Sequence, residues 1–135
     1  MREILFRGKR TNTGEWVEGY FCKTRIEDTC YIAQSAGGDC CNEYFRDYEV
    51  NPETVGQFTG LYCKGKKIFE GDIIKATFDS EHFELLEVIY NTELCRFELK
   101  ESKTGEQLEM YIEEIHEIIG NIHDNPELLN ERDDK

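Results

Sequence analysis

The segment Gly60 to Lys67 comes nearest to a catalytic motif, because its residues match the phosphate-loop pattern G-x-x-x-x-G-K. In such a loop, backbone amides and the lysine hold a nucleotide phosphate, and a Ser or Thr directly after the lysine binds magnesium. Here Lys67 occupies that position, and Ile68 to Gly71 cannot begin the helix that must follow a phosphate loop. We therefore predict a basic hairpin turn at Lys64 to Lys66 and no nucleotide site.

The sequence contains no complete motif for metal binding or for acid–base catalysis. His116 begins the run His-Glu-Ile-Ile-Gly, which lacks the second histidine of a zinc-protease helix. Paired carboxylates such as Glu113 and Glu114 are abundant in an acidic segment, so they do not single out a general acid and base. We predict no catalytic residue, no metal and no cofactor, and we expect the three histidines to be surface or capping residues: His82, His116 and His123.

The six cysteines contain no C-x-x-C pair, so the spacing of a zinc ribbon is missing. The first seven residues carry charges on both sides of Ile4 to Phe6, which is not the pattern of a secretory signal. We therefore expect a cytoplasmic protein whose thiols stay reduced. These thiols belong to Cys22, Cys30, Cys40, Cys41, Cys63 and Cys95.

Two basic clusters could form a groove for single-stranded nucleic acid if they met beside aromatic side chains such as Trp16, Tyr20 or Phe21. Stacking on aromatic rings between cationic side chains is how many small barrels hold single strands. The two clusters are far apart in the sequence, which weakens this alternative. The candidate nucleic-acid contacts are Arg7, Lys9, Arg10, Lys64, Lys66 and Lys67, with Arg2 beside the first cluster.

The negative charge is concentrated in the second half of the chain. The net charge is −13, and residues 79–135 hold five Lys and Arg against seventeen Asp and Glu. Residues 1–78 are nearly balanced, with eleven against twelve. The acidic half, residues 79–135, repels nucleic acid and favours solubility. It is a solvated surface in the simplest interpretation, and in the alternative it binds a basic protein patch or imitates DNA.

Short strands with frequent turns predict a mainly β protein of two units. In the first, Ile4 to Phe6 is a strand closed by Gly8, two further strands follow, and Tyr44 and Phe45 form a short apolar piece. Asn51 then caps a single helical turn that starts at Pro52, and this turn is our candidate boundary. We predict an N-terminal β unit over 1–55 and a second unit over 56–135.

The second unit has five or six short strands between residues 57 and 122, which predicts a small barrel. Crossover helices of the length that a parallel sheet needs are missing. The apolar positions of Glu109 to Ile122 partly fit a helix, but β-branched residues and Gly120 favour strand. A short capped helix is predicted over Asp124 to Leu129, followed by a frayed tail.

Three segments together resemble the YopX family over essentially the whole chain. They are Met1 to Arg10 with Gly14 to Tyr20, Val50 to Leu61 with Gly65 to Ile74, and Ile118 to Ile122 with Asn125 to Leu129. The resemblance implies a phage or prophage origin and an SH3-like C-terminal barrel. The family has no assigned activity, so it implies no catalytic residues. One departure is Tyr62 to Lys64, where the family often has Asp, Lys and Asn.

The sequence therefore favours a non-enzymatic phage accessory protein that binds a protein partner, of host or phage, through an exposed β edge or its acidic face. The first alternative is a nucleic-acid-binding barrel that uses the six basic residues named above. The second is an enzyme with a site that no motif reveals. Self-association is expected, because exposed strand edges pair readily. Membrane insertion is not expected, since no apolar run approaches the ~18 residues that would span a bilayer.

Overall fold

The computed structural model describes residues 2–25, 27–39, 42–77 and 83–130 and confirms a mainly β protein. Its strands form two antiparallel sheets, and its one α-helix has four residues. The strands are β1 (Phe6–Lys9), β2 (Trp16–Lys23), β3 (Cys30–Gly37), β4 (Tyr44–Val50), β5 (Gly56–Cys63), β6 (Lys66–Phe69), β7 (Asp72–Thr77), β8 (Phe83–Asn91), β9 (Arg96–Glu101), β10 (Gln107–Glu109) and β11 (Ile115–Asn121), and the helix is α1 (Glu127–Asn130).

The chain divides into two compact units, residues 1–58 and 59–135. The division lies inside β5, whereas the sequence pattern places it at residue 55, before that strand. Strands follow the order β4-β3-β2-β1-β5-β6 in one sheet and β10-β9-β8-β7-β11 in the other. Three residues that the sequence analysis discusses, and the predicted tail from Glu131 onward, lie outside the described residues; the three are Cys40, Cys41 and His82.

In the first unit, the inner face of the sheet carries the core. Cys30, Ile32 and Val50 are buried there, and Phe6 and Phe21 pack against them with ring centroids 5.4 Å apart. The cross-strand pairs Phe6–Gly19, Phe21–Ile32 and Cys30–Val50 place these residues on the same face. Phe21 therefore packs against the core of the first unit.

The prediction that Gly8 closes the first strand is wrong, because Gly8 lies inside β1 opposite Val17. The strand also starts two residues later than expected, at Phe6. A Cβ on Gly8 would lie 3.0 Å from the Cβ of Val50, which is tighter than ordinary contact. Glycine is needed here so that β1 can pass close to the end of β4.

In the second unit, the core lies on one face of the five-stranded sheet. Its fully buried members include Ile74, Leu86, Val88 and Leu99. The register brings them together, since Leu86 lies opposite Ile74, and Leu99 lies opposite Val88. Among the described residues no pairing joins the outer strands β10 and β11, so the sheet is open. The SH3-like barrel is therefore not confirmed.

Local turn chemistry follows the sequence closely. Lys64 and Gly65 join β5 to β6 with φ values of 52° and 82°, as a two-residue hairpin turn requires. This confirms the basic hairpin turn. The Asn51 side chain accepts a hydrogen bond from the Glu53 amide at 3.1 Å and caps a 3₁₀ turn over Pro52–Thr54, also as predicted.

The segment that partly fitted a helix is mainly β. A 3₁₀ turn at Ile112–Glu114 leads into β11 at Ile115, and the strand is irregular next to Gly120. The short C-terminal helix is confirmed as α1. In the described ranges, no helix has both the length and the apolar composition needed to cross a membrane.

Candidate functional site

Strand β4 forms the outer edge of the first unit's sheet and displays apolar side chains to solvent. Tyr44 is 59% exposed and Phe45 is 52% exposed. Phe45 makes an edge-to-face contact with Tyr20, which is 55% exposed, at a centroid distance of 6.1 Å. An edge strand of seven residues with exposed aromatic rings is a template for pairing with another strand.

The backbone contacts at the end of β4 show which of its groups point outward. The Thr11 amide donates to the Glu49 carbonyl at 3.1 Å, and the Asn51 amide donates to the Lys9 carbonyl at 2.8 Å. These two bonds flank an antiparallel bridge between Arg10 and Val50. Glu49 therefore turns its peptide groups away from β3. Because this direction alternates along an antiparallel strand, Asp47 and Phe45 do the same.

The peptide groups of Tyr48 and Arg46 point toward β3 and take part in the ladder with that strand. Tyr48 lies opposite Ile32, and Arg46 lies opposite Gln34. Thr11 is the start of an exposed turn that leads away from β4, so pairing with the first strand stops at Glu49. The free edge of β4, as we use the term, is the outward backbone of Phe45 and Asp47, for which the described residues supply no pairing partner. It offers two N–H and two C=O groups, enough for a short antiparallel ladder.

The outer face of the same sheet gathers part of the first basic cluster around Trp16. Arg7 lies 4.7 Å from the centroid of the Trp16 ring, and the Lys9 ammonium lies 5.5 Å from it. Lys9 is directly opposite Trp16 in the register, and Arg7 is opposite Glu18. The structure thus brings Arg7, Lys9 and Trp16 together, with the carboxylate of Glu18 on the same strand as Trp16.

Arg10 does not join this group. Its guanidinium lies 4.6 Å from the centroid of the Tyr48 ring, and its bridge partner Val50 is in the core. Side chains alternate between the two faces of a strand, so Arg10 points to the opposite side from Lys9. The structure therefore brings Arg7 and Lys9 to one surface and does not bring Arg10 there.

The second basic cluster lies in the second unit, at the β5–β6 turn. Lys64 and Lys66 are exposed, and Lys67 is half-buried. Lys64 and Lys66 line a small cavity of about 80 Å³ together with Glu117. A carboxylate in the lining reduces the attraction of this cavity for phosphate.

Part of the acidic charge in the second unit is structural. The Glu98 side chain is 2% exposed. It accepts hydrogen bonds from the side-chain amide of Asn91 at 2.9 Å and from the Arg96 guanidinium at 2.7 Å. The Asn91 bond, and then the Arg96 bond, lower the pKa of Glu98 below its ordinary value. Asn91 also accepts from the Glu93 amide, so one cluster fixes the β8–β9 turn. A carboxylate held this way is an anchor for the turn and not a general acid.

The hydrogen bonds of Glu98 lead to a prediction about how the Tm depends on pH. Replacing Glu98 with glutamine is expected to lower the Tm at about pH 7, because the Arg96 guanidinium then loses the ionised carboxylate that accepts its hydrogen bond. A lowered pKa contributes stability that is present above the unfolded pKa and is lost as the pH falls through the folded pKa. The Tm difference between wild type and variant should therefore shrink toward about pH 3, as measured by far-UV circular dichroism.

Glu93→Gln is the matched control, since Glu93 lies in the same turn and is exposed. It should leave the Tm unchanged at both pH values. A Glu98→Gln difference that stays constant with pH would contradict the ionised-anchor interpretation.

Other concave or reactive features are less specific. A groove of about 480 Å³ in the first unit is mainly apolar, with Ile4, Phe6 and Tyr20 in its lining and Arg2 at its margin. Across the described ranges, no three His, Cys, Asp or Glu side chains converge as metal ligands would. Cys30 and Cys63 are buried free thiols, whereas Cys22 and Cys95 are exposed.

Comparison with known proteins identifies the chain at the level of a family. No curated protein matches it. The family model described as YopX protein matches residues 5–130, which include the Asn51 cap, the β5–β6 turn and strand β4. Because this match covers nearly the whole chain, the protein belongs to the YopX family.

Proposed function

We propose that this protein is a non-enzymatic binding module that recruits another protein by adding a strand of that partner to β4. The observation that carries the proposal is the free edge beside the exposed rings of Tyr44 and Phe45. Main-chain hydrogen bonds to a sheet edge supply affinity, and the flanking side chains supply specificity. Membership of the YopX family supports a role as a phage or prophage accessory protein.

The environment of the buried acids supports a binding role over an enzymatic one. Glu98 is tied to Arg96 and Asn91, and Asp72 accepts a hydrogen bond from the Phe69 amide at 2.8 Å. Each carboxylate is committed to hydrogen bonds that hold its own turn in place. The proposal also includes a cytoplasmic location in a bacterial host and an SH3-like relationship for the second unit, and both stay predictions.

The test is capture from a host lysate with three forms of the full chain: wild type, Asp47→Pro and Asp47→Thr. Proline removes the outward N–H of residue 47, and an edge strand tolerates proline where its N–H faces solvent. We expect Asp47→Pro to weaken binding of the partner about tenfold, because a hydrogen bond and the fit of the added strand are lost. Asp47→Thr keeps the N–H and should retain more partner than the proline variant.

Matched circular dichroism spectra will show that all three forms are folded. A stoichiometric partner that Asp47→Pro retains as well as wild type would contradict strand addition at this edge.

Nucleic-acid binding is the second candidate, favoured by the positions of Arg7 and Lys9 around Trp16. A cationic surface with an aromatic ring is suited to a single strand of nucleic acid. Glu18 opposite Arg7 and Asp47 on the same face weaken that attraction. A fluorescent oligothymidine of about 15 nucleotides is the probe: tight binding that falls steeply with salt and is lost in Arg7→Ala would favour this function over the first.

A further inference from the structure

The side chains along the free edge of β4 carry charges that nothing in the described part of the chain neutralises. Arg46 and Asp47 are both exposed, and neither side chain has an ion pair or hydrogen bond there. Side chains alternate along the strand, so Phe45 and Asp47 lie on the outer face with Tyr20, and Arg46 lies on the inner face. The edge thus presents an apolar, a cationic and an anionic position in succession.

Resting on the proposed function, we infer that the partner strand is antiparallel to β4 and reads basic–acidic–apolar from its N-terminus. The basic residue lies opposite Asp47, the acidic residue opposite Arg46, and the apolar residue opposite Phe45. The inferred direction is that of the pairing already present, because Lys9–Thr11 runs antiparallel to the end of β4 and leaves it at Thr11. The partner strand continues along β4 from that point.

Charge complementarity selects this pattern. Directly opposite residues in an antiparallel pair have Cβ atoms about 4.5–5.5 Å apart, so opposite charges there stabilise the pair and like charges destabilise it. An apolar side chain opposite Phe45 would also cover a ring that is 52% exposed. The three positions together distinguish one short sequence pattern from its charge-reversed form.

Strand β4 of a second copy of this chain does not fit the same edge. In an antiparallel pair of two β4 strands, residues with outward peptide groups must lie opposite each other. With Phe45 and Asp47 as these residues, three registers are possible. The first places Asp47 opposite Asp47, and the second places Arg46 opposite Arg46. The third, with Phe45 opposite Phe45, places Asp47 opposite Glu43. Each register puts like charges directly opposite, so β4 of a second copy does not supply the added strand.

The experiment uses two synthetic peptides with the same threonine-rich flanks, one with a central Lys-Glu-Ile and one with Glu-Lys-Ile. Each is titrated into the full ¹⁵N-labelled chain, and amide shifts give the site and the Kd. We expect the amides of Phe45 and Asp47 to shift, and the Lys-Glu-Ile peptide to bind about fivefold to tenfold more tightly. The double variant Arg46→Glu/Asp47→Lys, which keeps the net charge, should reverse this preference.

The outcomes separate the inference from the proposed function. If both peptides shift the β4 amides with equal Kd, or if the double variant does not reverse the preference, the sequence pattern is overturned while strand addition stands. If neither peptide shifts any β4 amide in a chain whose spectrum is that of the folded protein, both are overturned. If shifts appear only around Trp16, the peptide binds the outer face and both are likewise overturned.

Discussion

Replacing Leu99 with alanine is expected to lower the free energy of unfolding by about 2–5 kcal/mol. Leu99 is fully buried in β9, and its register partners are Val88 on β8 and Leu108 on β10. The shortened side chain removes buried methyl groups from the middle of the sheet and leaves a cavity that β-strands cannot easily close. The whole stability of a natural domain is about 5–15 kcal/mol, so much of it would be lost.

Urea unfolding followed by far-UV circular dichroism measures this loss. Leu94→Ala makes the same chemical change in the β8–β9 turn, where the leucine is 56% exposed, and it should stay within about 0.5 kcal/mol of wild type. Equal effects of the two substitutions would mean that the packing described for the second unit is wrong.

Replacing Gly19 with alanine is the second large change, and it acts on the first unit. A Cβ at Gly19 would overlap the backbone carbonyl oxygen of Ala33 and lie 3.1 Å from the Ile32 side chain. The carbonyl belongs to the neighbouring strand β3 and cannot move without disturbing the ladder. We expect a loss of about 1–3 kcal/mol, as is typical for overpacking of a close contact.

Trp16 provides the measurement for Gly19→Ala, because it is the single tryptophan and lies on the same strand. Its fluorescence during urea unfolding should show a lower midpoint for the variant. Cys22→Ala introduces the same residue at an exposed position of β2 and serves as the control. A midpoint for Gly19→Ala equal to that of the control would show that β2 and β3 do not approach so closely.

The sequence predicted best where structure depends on neighbouring residues. The Asn51 cap and the Lys64–Gly65 turn are local, since each is fixed by residue types within a few positions. Gly8 shows the opposite case. Turn propensity assigned it to a loop, but its role is set by Val50, which is 42 residues later in the chain and contacts it only after folding.

The strand that matters most for the proposed function was the one least visible in the sequence. Only Tyr44 and Phe45 stood out, because Arg46 and Asp47 interrupt the alternation of apolar and polar residues that marks a half-buried strand. Most side chains of β4 are exposed on both faces of the strand, so the sequence of this strand does not alternate between apolar and polar residues. Its position at the edge depends on the order of strands in the sheet, and propensity does not encode that order.

The candidate site was predicted in part for a related reason. Arg10 was named with Arg7 and Lys9 as one basic cluster, although it faces the other side of the strand. Strand alternation would have separated Arg10 if β1 had been known to extend through Gly8 to Lys9. An error of a few residues in a strand boundary thus became an error about a surface.

Each unit contains a buried cysteine that can report local opening of that unit. Among the described residues, Cys30 is 4% exposed in the first unit and Cys63 is 6% exposed in the second. A thiol-specific reagent can reach either sulfur only while the strands around it are separated, whereas Cys22 and Cys95 react from the folded state. The rates of alkylation at Cys30 and Cys63, resolved by mass spectrometry of peptides, would therefore report how often each unit opens under native conditions, without denaturant.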